Sequence, residues 1–286
     1  MRKNKWKTKK KSDLKRRLGG DLFLAPSLIG VCIFMVVPFF VVVYYSLIDN
    51  PIKKNFVGLE NFMRILDNSA FKMAALNTIK FSAVAVPLAV ILSLLLAMLL
   101  LSKIPGKTQL RTFYLSPLMV PVASVVLIWQ VLFDYNGVVN EWFVSFGLDK
   151  IDWMKSAYVQ IVIVLLFLWK NLGYNMIIFM ATLTSIPKEI VEVARLESAS
   201  SWQIFWHIKI RYLSSTIVFV TIMSLINSFK VFREVYLMTG DYPYDTLYML
   251  QHFMNNTFKS LDYQKLSSAA ILMSLVMIVI IAILFF

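Results

Sequence analysis

Six side chains able to meet a polar solute are set inside otherwise apolar runs: Lys170, Asn171, Asn175, Asn227, Phe229 and Tyr236. Lys170 stands in mid-run, with Asn171 and Asn175 after it, one helical turn apart on one face. An ionisable group in hydrocarbon costs about 3 kcal/mol or more, so Lys170 is a functional candidate by default. The plainer alternatives are snorkelling to an interface or pairing with a carboxylate of a partner subunit. Lys230 and Glu234, four apart with Arg233 adjacent, suit an ion pair on one helix face. At 1.5 Å per residue from Ser214 they lie about 24–30 Å into their span, near its outer end, which favours a structural pair. Asn227, Phe229 and Tyr236 offer amide or hydroxyl hydrogen bonds beside an aromatic face, the combination a sugar needs. Aromatic residues in membrane helices otherwise face lipid or core, and the sequence does not say which of these three face a cavity.

Other chemistries are excluded early. Cys32 is the single cysteine and lies in an apolar run, which rules out an intrachain disulfide or a two-cysteine metal site. His207 and His252 stand alone, with no His or Glu at ligand spacing, so no metal is expected. Gly106-Lys107-Thr108 has the ending of a phosphate-binding loop, but that loop needs a glycine where Leu101 stands, and no strand pattern precedes it. The chain therefore reads as non-catalytic, without a nucleotide site or other cofactor of its own. Any ATP-driven work, with its Mg ion, falls to a partner.

The elements that must position these residues follow from composition. Hydrophobic residues make up 59% of the 286 and charged ones 16%, against roughly 25% charged in soluble domains. The apolar residues are gathered in blocks, and a bilayer core takes about 20 of them per helix. Six spans are expected, at about 22–47, 81–102, 112–133, 157–185, 213–238 and 264–286, giving an all-α integral membrane protein. A short tail, 1–21, precedes this 22–286 transmembrane region.

Lys and Arg set the orientation. The tail and the loops 102–111 and 186–213 hold 17 basic residues in 59 positions, whereas the opposite loops hold 8 in 80. The richer side is cytoplasmic by the positive-inside rule, which places the N-terminus and the 186–212 loop inside the cell. Ten of the basic residues lie in the tail, so most of the formal charge of +13 is explained by topology and anionic lipid headgroups. Nucleic acid is not expected as a partner. The apolar run after the tail is about twice a signal-peptide core of 7–15 residues, so the tail is not a leader.

Glu192 to Arg211 is a charged island between apolar runs, yet Ile190, Val193, Ala194, Ile204, Phe205 and Ile208 recur through it at helical spacing. Two short amphipathic helices are expected, broken at Ser198, Ser200 and Ser201. A plain turn needs only a few residues, so this loop looks built to dock.

The island also resembles the EAA loop of binding-protein-dependent sugar ABC importer permeases. Glu192, Ala194, Glu197, Ala199, Trp202, Phe205 and Ile208 fall in step with it, while Val193, Ser198 and Arg211 replace an Ala, the Gly and the Pro. Three further segments are similar to sugar permeases in the same order. Phe56-Val57-Gly58-Leu59-Glu60-Asn61-Phe62 would lead into a surface helix buried through Phe62, Ile65, Leu66 and Phe71. Phe113 to Asp134, with Gly137 and Asn140, would place Trp129 and Phe133 near the outer interface. Met238 to Pro243, with Thr246, follows the fifth span.

The resemblance, which spans about Leu22 to the end, implies the MetI- and MalF-like permease fold in a prokaryotic cell membrane. It implies a second permease subunit, in a hetero-dimer, two copies of a cytoplasmic ATPase, an extracytoplasmic solute-binding protein and a carbohydrate substrate. The ATPase-coupling residues would be Glu192, Ala194, Glu197, Ser198, Ala199, Trp202, Phe205 and Ile208. The alternative is an ion-coupled secondary transporter of a small polar solute. That class wants intramembrane carboxylates or broken helices in repeated halves, and the spans carry no acid apart from Glu234. A polytopic membrane enzyme would need clustered His, Asp or Glu near one membrane face, which the sequence lacks.

Overall fold

A computed structural model describes residues 24–156 and 158–285. The basic tail at 1–21 lies outside them. Among the described residues, five helices are long and apolar enough to cross a membrane, and a sixth is present if one bent pair counts as a single span. The chain divides into two compact units. One holds the residues up to Ile65 with Leu261–Leu275, and the other Leu66–Ser260 with the residues from Val276.

In the first unit, helix α1 (Leu24–Ser46) contains a π turn at Cys32–Val36, just ahead of Pro38. Pro38 brings no N–H to the helix ladder, and a widened turn is one way a helix absorbs that loss. After α1 the chain forms an antiparallel bridge between Ile48 and Phe56 and turns through Gly58 at φ 56°. It then enters α2 (Glu60–Asp67). Asn61 is buried, and its amide donates to the carbonyls of Ser46 and Ile48 at 3.0 and 2.8 Å. The glycine and asparagine of the heptapeptide thus have local work: one supplies a left-handed turn, the other satisfies carbonyls left orphaned where α1 ends.

Two sequence expectations change here. Of the four residues expected to bury the surface helix, Ile65 is buried on α2, whereas Leu66 is exposed. Phe71 is buried but belongs to the next helix, where its ring meets Phe253 edge-on at 5.5 Å. That helix, α3 (Ser69–Leu101), starts twelve residues before the expected span. Asn68 caps it by accepting from the Phe71 amide at 3.0 Å, and no proline or glycine lies between the cap and residue 81 to stop it.

In the second unit α3 packs against α7 (Val159–Ser185) and α9 (residues 201–230). Ala85, Ala89, Ser93 and Ala97 recur every fourth residue on α3, and each is fully buried. Small side chains let membrane helices approach until their backbones and larger residues interlock. Here Phe81 meets Phe167 of α7 edge-on at 5.5 Å, and Leu94, Leu100, Phe179 and Leu213 fill a second cluster. Closer still is Gly173 on α7, where a Cβ would lie 1.9 Å from the carbonyl oxygen of Tyr114.

Tyr114 belongs to α4 (Lys107–Leu115), which leads through a 3₁₀ turn at Ser116–Leu118 into α5 (Val122–Leu132). The expected single span at 112–133 is this pair, bent by 106°. Pro117 and Pro121 cause the bend by withholding two amides within five residues. A short α6 (Val138–Ser145) follows. The buried Asn140 organises that segment, donating to the Ile151 carbonyl at 2.8 Å and accepting from the Trp153 indole at 3.0 Å. Three shorter helices also belong to the second unit: α8 (Lys188–Leu196), α10 (Phe232–Thr239) and α11 (Leu250–Lys259). The last long helix, α12 (Tyr263–Phe285), crosses the boundary between the units.

Candidate functional site: a charged cavity and a helical hairpin

The cavity, of about 230 Å³, is bordered by α7, α9 and α10, with one residue, Leu118, from the bend after α4. Its polar lining is Lys170, Asn171, Asn227, Lys230, Arg233 and Glu234. Leu166, Phe167 and Val231 form its apolar wall. Lys170 donates an ion-paired hydrogen bond to Glu234, joining α7 to α10 within this chain. The sequence suggested Lys230 as the partner of Glu234. That pairing does not form, because the Glu234 carboxylate turns to Lys170 of α7 instead. Lys230 and Arg233 are left without a carboxylate in ion-pair range among the described residues.

Two amides complete the polar wall. Asn227 donates to the Asn171 side-chain oxygen at 2.9 Å, and Asn171 donates to the Phe167 carbonyl at 2.8 Å. The other solute-path candidates sit elsewhere. Asn175 is buried and spends its amide on Ser224 at 2.9 Å, bonding α7 to α9. Phe229 is buried in the helix packing. The Tyr236 hydroxyl accepts from Lys259 at 3.3 Å, and Lys259 also lies 5.4 Å from the Tyr236 ring centre. Lys170, Asn171 and Asn227 therefore meet in one place, and Asn175, Phe229 and Tyr236 do not join them.

Beyond α10 the Met238-to-Pro243 segment is pinned to α11. Asp241 accepts from Lys259 at 2.5 Å, and its carboxylate and the Tyr236 hydroxyl hold the lysine above its usual pKa. His252 of α11 is fully buried, with Phe232 edge-on at 4.7 Å. Burial pushes its pKa down to about 4, opposed only in part by Asp241.

The hairpin lies between α7 and α9. Helix α8 ends in a left-handed residue, Ser198 at φ 62°. The Ala199 amide donates to the Ala194 carbonyl at 2.9 Å, and the Ser198 amide to Arg195 at 3.0 Å. That pair of bonds is the Schellman ending, which usually takes glycine at the left-handed position. Two residues later Ser200 starts α9 with a capping box: its hydroxyl accepts from the Gln203 amide at 3.3 Å, and Gln203 accepts from the Ser200 amide at 2.8 Å. The expected second short helix is not separate. It runs on through a π turn at Phe205–Lys209 into the next span, because nothing between Ser201 and Lys230 breaks it.

This hairpin shows apolar surface that the described chain does not cover. Val193 is 54% exposed, Leu196 85% and Trp202 68%. Trp202 and Trp206 meet edge-on at 5.5 Å. Glu192, Glu197 and Ser198 are exposed, Ala194, Ala199, Phe205 and Ile208 half-buried. The resemblance marked these positions, and Ile204 beside them is buried.

Residues 85–286 match the family described as binding-protein-dependent transport system inner membrane component. The chain belongs to that family. A relative in Rhizobium radiobacter, the lactose transport system permease protein LacF, is 29% identical over 98% of this chain and 96% of its own length. The sulfoquinovosyl glycerol transport system permease protein SmoG of Agrobacterium fabrum is 30% identical, covering 91% of this chain and 87% of its own. The trehalose/maltose transport system permease protein MalF of Thermococcus litoralis is 29% identical over 78% of each. Among solved structures, a chain of a bacterial ABC transporter that imports the acidic polysaccharide alginate superposes with a TM-score of 0.83 at 20% identity, covering 96% of both chains. The all-α membrane fold expected from the sequence is therefore the family's fold.

Proposed function

We propose that this family member is the membrane-spanning subunit of an ATP-driven importer of a carbohydrate, and that residues 186–212 receive the work of a partner ATPase. Support for the cargo comes from relatives named for lactose, trehalose/maltose and sulfoquinovosyl glycerol. Support for the coupling comes from one observation above others: a capped, helical hairpin presents Val193, Leu196 and Trp202 uncovered, where a connector would need only a turn.

The subunit does no bond chemistry. ATP and Mg bind the ATPase pair, which takes up the hairpin through Glu192, Ala194, Glu197, Ser198, Ala199, Trp202, Phe205 and Ile208. A second permease completes the pathway, and a solute-binding protein delivers the sugar on the outer side. The N-terminus and the hairpin lie in the cytoplasm. Work passes only if ATP binds the inward- and outward-open states with different affinity, since a ligand that binds both alike shifts neither.

Charge and bulk placed in the hairpin test this reading. Glu192→Lys and Ala199→Asp should abolish ATP-driven uptake in proteoliposomes while the solute-binding protein still docks. Normal uptake in both variants would reduce the hairpin to a connector.

A further inference from the structure

The cavity between α7, α9 and α10 carries more positive charge than its own residues neutralise. Lys170, Lys230 and Arg233 line it against one carboxylate, Glu234. Glu234 is taken by Lys170 across the two helices, so Lys230 and Arg233 have no carboxylate in ion-pair range among the described residues. Both are exposed, three positions apart on either side of Val231. Beside them Asn227 and Asn171 present a hydrogen-bonded pair of amides, of the kind that binds sugar hydroxyls. At about 230 Å³ the space is below the roughly 300–1,000 Å³ of a pocket that encloses a whole ligand. It is sized for one group of a longer solute.

Two cations without a carboxylate partner, at the outer end of a membrane span, are tolerated where water or an anion reaches them. Lysine and arginine lining a pathway select anions, and guanidinium matches the two oxygens of a carboxylate, sulfonate or phosphate. We infer that the cavity is a subsite for the acidic group of an anionic carbohydrate, with Lys230 and Arg233 setting the charge preference and Asn171 and Asn227 meeting adjacent hydroxyls. This deepens the carbohydrate reading and rests on it.

The test uses the complete complex (this chain, its second permease, the ATPase pair and the solute-binding protein) in liposomes. The probes are galacturonate, glucuronate, sulfated and phosphorylated di- and trisaccharides. Each is paired with its neutral form, the methyl ester for the uronates. At least one acid-bearing sugar should stimulate ATP turnover and uptake tenfold or more above its neutral form. Lys230→Gln and Arg233→Gln should raise the KM for that acid about tenfold and carry the acid-to-neutral ratio towards one. Lys230→Arg should keep the preference. A lesion that merely loosens the fold would instead lower turnover for acid and neutral form alike, and Lys230→Arg would not tell them apart.

Neutral sugars stimulating as well as or better than their acid forms would overturn the inference and leave the importer standing. Stimulation by no carbohydrate at all would remove the carbohydrate reading and this one with it. Anionic lipid headgroups offer the same chemistry, so the assay is repeated in purely zwitterionic lipid. Persistence of the acid preference there supports a solute subsite. A preference that disappears with the anionic lipid assigns the two cations to headgroups and overturns it.

Discussion

Replacing Ser198 by glycine should tighten the hairpin. Ser198 holds φ 62°, in the left-handed region that costs an L side chain about 1–2 kcal/mol. Glycine has no such cost, but it surrenders about 0.5–1 kcal/mol more backbone freedom on ordering. The difference leaves a net gain of about 0.5–1 kcal/mol, with both Schellman bonds kept. Since 1.4 kcal/mol is a factor of ten, opening of this turn should become about two- to fivefold rarer. The Ala199 amide reports that opening, because it donates to the Ala194 carbonyl at 2.9 Å and exchanges when the bond breaks. Hydrogen exchange measured on the complete complex should therefore slow by that factor at Ala199 in Ser198→Gly. In Ser198→Val it should accelerate, since a β-branched residue suits positive φ least. Unchanged or faster exchange in the glycine variant would refute the claim that backbone strain at this position limits the hairpin.

The Lys170–Glu234 pair should behave as a unit. Lys170→Met or Glu234→Leu alone leaves a charge in a poorly hydrated place, for which buried pairs lose about 3–5 kcal/mol. With Lys170 still 24% exposed, the lower end of that range is expected, and the double variant should recover most of it. Thermal unfolding of the purified complex checks this, and independent, additive losses would refute it. His252 should make the protein acid-labile. Its folded pKa of about 4 lies below the usual 6.5 of the unfolded chain, so protonation favours unfolding. Stability should be full above pH 6.5 and fall as the pH drops from 6.5 to about 4, by about 3 kcal/mol at most. His252→Gln should flatten that part of the pH–Tm curve, and an unaltered slope would count against the assignment.

The long helices were legible because apolar blocks of about 20 residues are local patterns. What sequence reasoning missed were relations between distant residues. Glu234 finds Lys170, 64 positions away, rather than Lys230 on its own segment. The local rule failed there because Glu234 is buried against α7 and meets that helix's lysine, a contact between segments that spacing along one helix does not report. The bend between α4 and α5 did have a signal, in Pro117 and Pro121, but an unbroken run of apolar residues concealed it. Asn175 reads like a solute ligand in sequence, but the fold buries it between α7 and α9, where its amide bonds Ser224, whereas Asn171 and Asn227 stay partly exposed.

The departures from the EAA pattern have structural consequences of their own. Ser198 keeps the left-handed turn that glycine would make, at an energetic cost. Arg211 stands where the pattern has proline, so its amide remains available to the helix ladder. Helix α9 consequently runs without interruption from Ser201 to Lys230, about 45 Å at 1.5 Å per residue. One end of that rod carries Trp202 and Trp206, and the other carries Asn227 and Lys230 at the cavity. Under the proposed coupling, a displacement of the hairpin would reach the cavity along this helix, whose irregular places are the π turn at Phe205–Lys209 and the single turn residue Val231. Beyond Val231, α10 is tied back to α7 by the Lys170–Glu234 pair, so axial movement of α9 would have to carry α10 with it and load that pair. On the proposed coupling, the ion pair is where a push from the hairpin would alter the cavity, which both of its residues line.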